Sequence, residues 1–358
     1  MRVLVTGHRG YIGSLLVDRL KATNHEVVGV DTELYKDCTF GRNTDDGIPT
    51  INKDIRELSP PDLAGIDAIA HLAGICNDPL GDLIPETTYE INHAATVRLA
   101  AIAKTSGVRR FIFSSSCSVY GAAGEDWIDE HSKPNPVTPY GISKWRAEVD
   151  LRLLADAHFS PVFLRSATAY GYSPRIRFDL VLNNLTAHAF TSGKVLLKSD
   201  GMSWRPIVHI EDIGRAFVAA LDAPIETVHN EIFNVGITTE SYRIREIAQI
   251  VEETVPGSRV EFAAGAGHDK RTYRVDCSKI ARLLPNFRPQ WTARRGARDL
   301  YKRYREHGLL LEDFEGPRYQ RLAYLQLLMA RGAIGDNLRW AGAIASLETS
   351  AAQSRGIV

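Results

Sequence analysis

The sequence predicts an α/β protein: a Rossmann-type doubly wound parallel sheet carrying a smaller, discontinuous C-terminal lobe. Three observations carry the prediction. Short β-branched runs alternate with stretches whose apolar residues recur at helical spacing. A glycine-rich turn joins the first run to the first such stretch. The alternation loosens beyond Gly171 and later returns. Strand, glycine turn, helix, strand is the grammar of parallel strands joined by crossover helices.

Taken in order, "RVLVTG" is a strand, "GSLLVDRLKAT" a helix and "EVVGVD" a second strand. "IDAIAHLAG" and "RRFIFSSS" are later strands, separated by the helical "ATVRLAAIAKTSG", and "SPVFLRSATAYG" adds another. "RPIVHIEDIGRAFVAAL" and "EIFNVG" read as a return to the sheet. The expected cofactor domain is therefore 1–171 with 205–236, and the expected second lobe 172–204 with 237–340. Residues 291–340 read as mainly helical, with apolar spacing in "LYKRYREHGLLL" and "YQRLAYLQLLMA", while 341–358 lack periodicity and read as a frayed tail.

With 358 residues, 44% hydrophobic and 24% charged, the chain can bury a sizeable core as an ordinary soluble protein. Lys+Arg and Asp+Glu both total 43, so charge gives no case for a nucleic-acid or anionic-membrane partner. No apolar run is long enough to span a membrane. "MRVLVTGHRG" is a strand and glycines, not a signal peptide. Cys38, Cys76, Cys117 and Cys277 lie far apart without a CxxC pair. They read as reduced thiols of a cytoplasmic protein with no metal site.

"TGHRGYIGSLL" places Gly7, Gly10 and Gly13 between a strand and a helix. Glycine there permits the tight turn and lets backbone and helix N-terminus approach a pyrophosphate. The second strand ends in Asp31, 18 residues after Gly13, where a carboxylate accepts hydrogen bonds from adenosine ribose hydroxyls and repels a 2′-phosphate. Arg9 reads either as a partner of an adenosine phosphate or adenine, or as a surface arginine. Asp31, followed by Thr32 and Glu33 with no nearby arginine, favours NAD.

"PYGISKWRAE" carries Tyr140 and Lys144 four apart, on one face of a helix beginning near Pro139. A phenol titrates near ~10, too high for a base at neutral pH. An ammonium one turn away favours the phenolate, and the same lysine can hold the nicotinamide ribose. The serine-rich "FIFSSSCSVYG" lies upstream, with Ser116 24 residues before Tyr140.

On these motifs, together with "DIRE", "HLAG", "VLNNL" and "WRPIVHIEDI", the sequence resembles the extended short-chain dehydrogenase/reductase family, within it the nucleotide-sugar epimerases and dehydratases. The resemblance runs from residue 1 to about 290. It implies hydride abstraction from a sugar carbon by bound NAD, with Tyr140 taking the hydroxyl proton and Ser116 hydrogen-bonding the same oxygen. Gly7, Arg9, Gly10, Tyr11 and Ile12 would form the cofactor turn, with Asp54 and Ile55 at the adenine. Leu72, Ala73, Gly74 and Ser114 would line the cofactor, and Asn92 would steady its surroundings.

For the nucleotide sugar, the resemblance implies Asn184 and Leu185 at the diphosphate, although Asn183 or Asn184 also reads as a helix N-cap. Arg205 matches a phosphate-pairing arginine. Arg271 and Tyr273 match a segment closing over the nucleotide, where the usual arginine position holds Gly267 or Ala266 instead. Arg175 and Arg177 read as phosphate ligands or as solvated charges. Cys76, Asn77 and Asp78 read as sugar-facing residues or, for the latter two, as a turn before Pro79. Ser118 and Thr168 complete the expected substrate contacts with Cys117, which also reads as a packing residue.

Dehydratases of the family place Asp then Glu directly after the catalytic hydroxyl, and the decarboxylases tend to keep the Glu. Here Cys117 and Ser118 stand there. The expectation is NAD-dependent epimerisation of a nucleoside-diphosphate sugar at carbon 4, by a homodimer paired through two helices of the cofactor domain. One-way reduction of a 4-keto sugar is the alternative, and a dinucleotide-sensing scaffold a third reading.

Overall fold

Seven strands line up as one parallel sheet in the computed structural model, which describes residues 1–41, 46–76, 78–122, 124–267 and 272–341. They are β1 (Arg2–Thr6), β2 (Glu26–Asp31), β3 (Thr50–Asn52), β4 (Ala68–His71), β5 (Arg110–Ser116), β6 (Ser160–Ser166) and β7 (Ile232–Val235). Their order is β7-β6-β5-β4-β1-β2-β3, and every pairing is parallel. The central strands carry apolar residues on both faces, with Val3–Val5, Ala68–Ala70 and Phe111–Phe113 fully buried. Helices therefore cover both faces.

On one face lie α1 (Gly13–Ala22) and a helix at Ile210–Asp222, supplying Leu16, Leu20, Ile213 and Phe217 to one core. The other face is covered by α2 (Thr96–Thr105) and α3 (Pro139–Arg152), through Leu99, Ala103, Ala147 and Leu151. The strand order reverses between β1 and β4, which opens a crevice at their C-terminal ends. The glycine turn after Thr6 and the "LAG" segment after His71 both empty into it.

Two sequence expectations are corrected. "SPVFLRSATAYG" breaks at Ala167. Its second part, Thr168–Tyr170, pairs with Trp204–His209, which also pairs with Ser241–Arg243 in a separate three-stranded sheet. "RPIVHI" thus builds the second sheet, and only "IFNV" returns to the first.

The C-terminal helices also divide. Ala293–His307 joins a third core with Leu182, Leu185, Val195 and Val251. A later helix at Arg321–Ala330 and the chain out to Leu338 pack instead on the cofactor side, where Tyr324, Leu325, Ile334 and Leu338 meet Val28, Leu34 and Ile55. That core takes in Val28 of β2 and is packed by Ile51 of the edge strand β3. Asn77, Arg271 and the tail from 342 onward fall outside the described residues.

Candidate active site

A cavity of about 920 Å³ follows the crevice from the end of β2, past β1, β4 and β5, into the second lobe. Its floor is the glycine turn. Gly7 has φ +72°, and a Cβ there would come within 2.9 Å of the Ala73 backbone nitrogen. At Gly13 a Cβ would meet the Gly7 carbonyl oxygen at 2.1 Å. Side chains would fill this cradle, so the residues present fit a pyrophosphate laid along backbone at the start of α1. Gly10, Tyr11 and Ile12 line the same wall. Tyr11 is fixed by donating to the Gly171 carbonyl at 2.7 Å and accepting from Asn183 at 3.0 Å.

Asp31 stands at the far end of this wall. Its carboxylate accepts from the backbone N–H of Arg9 at 3.0 Å and of Glu33 at 2.8 Å. Burial pushes its carboxyl up, while His8 and Arg9 pull it down. The Arg9 guanidinium forms an ion pair with Glu33. Its charge is thereby answered by a carboxylate, not held open for a 2′-phosphate. Asp54 and Ile55 line the cavity opposite. Burial raises the Asp54 carboxyl, but Arg56, bonded at 2.7 and 3.0 Å, holds it below the usual range.

Leu72, Ala73, Gly74 and Ser114 line the middle of the cavity. Asn92, fully buried in a π-helical turn at Glu90–Ala95, bonds both backbone groups of Ile75 at 2.7 Å and Ser143 Oγ at 3.1 Å. It fixes the chain after β4 against α3.

Thr138 caps α3 by accepting from the Gly141 N–H at 3.2 Å, with Pro139 in the first turn. That helix carries Tyr140 and Lys144 to the cavity wall. The Tyr140 hydroxyl shares a hydrogen bond with Ser116. Ser116 also accepts from the Ser118 N–H and donates to the Ser118 hydroxyl, both at 3.1 Å. Lys144 Nζ lies 4.6 Å from the centre of the Phe113 ring, beside Gly74.

Burial raises Tyr140 above its ordinary value, while the hydrogen bond from Ser116 and the Arg177 guanidinium oppose that rise. Lys144 is itself desolvated and lowered to about 8.

Cys117 is corrected as a substrate contact. It is fully buried, donates its thiol to the Arg165 carbonyl at 3.2 Å, and is pushed up by burial, so it packs and does not face the cavity. Ser118 does line the cavity.

In the second lobe the cavity is lined by Thr168, Arg177, Asn184, Leu185, Arg205 and Tyr273. Tyr273 shares a hydrogen bond with Thr168. Arg205 donates to the Trp204 carbonyl at 2.8 Å, with its guanidinium 5.8 Å from the Tyr273 ring centre. Neither asparagine caps the helix at Val181–Ser192. The cap position is Leu180, while Asn183 accepts from the Gly171 N–H and Asn184 donates to the Phe178 carbonyl. Arg175 spends its guanidinium on Tyr35, Lys36 and Thr39. Arg177 is clamped by Asp179 at 2.6 Å and reaches Cys76. Asp78 accepts from the Thr138 hydroxyl at 3.0 Å.

The model of the NAD dependent epimerase/dehydratase family matches residues 3–236. The chain belongs to that family. It is 30% identical to a UDP-glucose 4-epimerase of Mycolicibacterium smegmatis, over 81% of this chain and 94% of that protein. It is 29% identical to UDP-glucuronic acid decarboxylase 4 of Arabidopsis thaliana, over 86% of this chain and 69% of that one. Among solved structures, MoeE5 in complex with UDP-glucuronic acid and NAD superposes with a TM-score of 0.74 at 29% identity, covering 86% of this chain and 99% of that one.

As a member of this family the enzyme uses NAD, for which the glycine cradle and Asp31 are the fitting residues. Among the described residues no helix is long and apolar enough to cross a membrane.

Two functional features escaped the sequence reading. One is the Arg9–Glu33 pair, signalled only by opposite charges at two loop ends. The other is a buried network behind the cavity wall that carries Tyr140 and Lys144. Glu148 binds Arg165 at 2.6 and 3.0 Å and accepts from Ser115, while Arg165 reaches Tyr120 at 3.0 Å. A second four-residue step after Lys144, and one arginine inside the apolar run "VFLRS", were its signals.

Proposed function

We propose that the enzyme epimerises a nucleoside-diphosphate sugar, at carbon 4. Bound NAD supplies the hydride acceptor and donor for the sugar carbon. Tyr140 takes the proton of the reacting hydroxyl at its phenolic oxygen and later returns it. Ser116 polarises that same oxygen. Lys144 holds charge beside the phenol and the cofactor ribose, and Asn184 and Arg205 anchor the diphosphate end.

One observation carries the choice of reaction. Behind Ser116 stand a buried thiol, Cys117, and a hydroxyl, Ser118, and neither serves as an acid at neutral pH. Two carboxylates that line the cavity, Asp78 and Asp179, are engaged by Thr138 and Arg177. Expelling water needs an available acid, whereas oxidation followed by re-reduction needs only the phenol and the cofactor. The similarity to a UDP-glucose 4-epimerase supports this reading, and the similarity to a UDP-glucuronic acid decarboxylase marks the reaction it competes with.

The test incubates the purified enzyme with a panel of nucleotide sugars, uridine diphosphate sugars first, and follows them by NMR without added nicotinamide. Inversion at carbon 4 with no net change in NAD is expected. Stoichiometric consumption of NADH or NADPH with a keto sugar, or release of water or carbon dioxide, overturns it. We also infer a cytoplasmic homodimer. Exposed Val149 on α3 and Leu153 just after it support the pairing, which light scattering checks.

A further inference from the structure

The chain beyond Arg321 contributes nothing to the motifs of the family, whose model ends at residue 236. Yet it lies against the end of the cavity where Asp31 and Asp54 stand. We propose that Arg321–Trp340 is a wall of the NAD site, a C-terminal strap that holds the cofactor between turnovers. The proposal rests on NAD binding in this cavity and not on the reaction proposed above.

Two strap residues line the cavity itself, Arg321 and Leu338. Both are buried, at 6% and 3% exposure. The Arg321 guanidinium lies 3.9 Å from the centre of the Tyr35 ring and donates to the Arg175 carbonyl at 2.9 Å. It is thereby fixed in place by groups that also border the cavity.

Immediately after Leu338 the strap is latched to the two segments that flank Asp31 and Asp54. Trp340 Nε1 donates to the carbonyl of Thr32, next to Asp31, at 2.7 Å. Arg339 forms an ion pair with Glu57, two residues beyond Ile55. Farther back, Tyr324 donates to Asp37 at 3.0 Å and Thr87 donates to the Asp336 carbonyl at 3.1 Å.

Leu338 itself has φ +57°, in the left-handed region that glycine or asparagine adopts more readily. A turn made only to reverse the chain would favour those residues. Here a leucine is kept in that conformation, packed in the core that contains Leu34, Ile55 and Ile75. Its apolar side chain, not the turn, is what the position supplies. A wall latched to both segments must loosen before a ligand behind it leaves, and its effect falls on the dissociation rate.

The test loads the full-length enzyme with isotope-labelled NAD and chases it with excess unlabelled NAD. Arg339→Ala and Trp340→Phe each remove one latch without opening the core, and Leu338→Gly removes the wall while relaxing the backbone. Each latch variant is expected to speed NAD release about threefold or more, and Leu338→Gly about tenfold or more. Melting of the NAD-free protein should be little changed for the latch variants. Release rates within about twofold of the parent in both latch variants overturn the proposal, whatever their melting temperatures. If Leu338→Gly does not fold, the latch variants decide alone.

Discussion

Arg177 reaches across the cavity to Cys76, donating to the thiol sulfur at 3.1 Å and to the backbone carbonyl at 2.9 Å. The contact ties the second lobe to the segment following β4 and sets a cation facing the Tyr140 phenol. Burial, then Cys76 and Asp78, raise the phenol, and the Ser116 hydrogen bond and Arg177 lower it. Arg177→Met removes the lowering charge and leaves Asp179 without its partner. The base must lose its proton to act, so activity rises with pH through its titration, and the variant's acid limb must move to higher pH. At pH 7 kcat is expected to fall about tenfold or more. A pH–kcat profile checks this: an unmoved limb with only a raised KM would assign Arg177 to binding alone.

The hydrogen bond between Ser116 and Tyr140 gives a second, sharper expectation. Tyr140→Phe keeps the ring and removes the proton acceptor. Turnover is expected to fall by about three orders of magnitude while NAD binding stays intact, since general-base catalysis contributes roughly 10²–10⁴-fold. Ser116→Ala should cost about tenfold to hundredfold, the scale of a lost polarising donor. Rates and NAD titrations measured on the same preparations separate the two roles.

Cofactor choice follows from the acidic pair at the end of β2. Asp31 and Glu33 are both expected to face the adenosine ribose, and Glu33 also occupies Arg9. The double variant Asp31→Asn, Glu33→Gln removes both repulsions and frees the arginine. Its preference for NAD over NADP is expected to drop by about a hundredfold, or roughly 3 kcal/mol. Binding titrations with both dinucleotides measure it, and an unchanged ratio would show that discrimination lies elsewhere.

Much of this site was legible because its chemistry is local in the chain. The glycine turn, Asp31 and the Tyr140–Lys144 step are short-range patterns, and the structure puts each on the cavity wall. What escaped depends on contacts far apart in sequence. Glu148 and Arg165 meet only because α3 packs on β5 and β6, and Trp340 meets Thr32 across nearly the whole chain. For Cys117 the sequence left two readings open, substrate contact and packing, and the turn after Ser116 points the thiol inward, as the packing reading has it.

Lys144 makes the stability of the cofactor-free enzyme depend on pH in a predictable direction. Burial lowers its ammonium from an ordinary 10.5 to about 8. Between those values the unfolded chain holds the proton and the folded one does not, so stability rises with pH across that window. Below pH 8 the buried charge costs on the order of 3 kcal/mol. Lys144→Met removes this dependence. The variant is expected to melt above the parent at pH 7, with the gap closing toward pH 10. A constant gap across that range refutes the assignment.

The ion pair between Glu148 and Arg165 lies behind these groups, almost wholly shielded from solvent, at 0% and 1% side-chain exposure. Burying two charges is costly, and the pair offsets that cost only while both partners remain. Glu148→Gln leaves a guanidinium without a counter-charge and is expected to cost about 3–5 kcal/mol. Replacing both, as Glu148→Leu with Arg165→Met, should recover most of that stability. Catalysis should not recover with it. Glu148 lies one turn from Lys144 and raises its affinity for a proton, while its carboxylate holds Ser115, the neighbour of Ser116. The double variant is therefore expected to be stable, to bind NAD, and to show a Lys144 titration shifted further down and a kcat lowered about tenfold. Denaturation, NAD binding and pH–rate profiles on the single and double variants test this, and full recovery of kcat with stability would reduce the pair to packing.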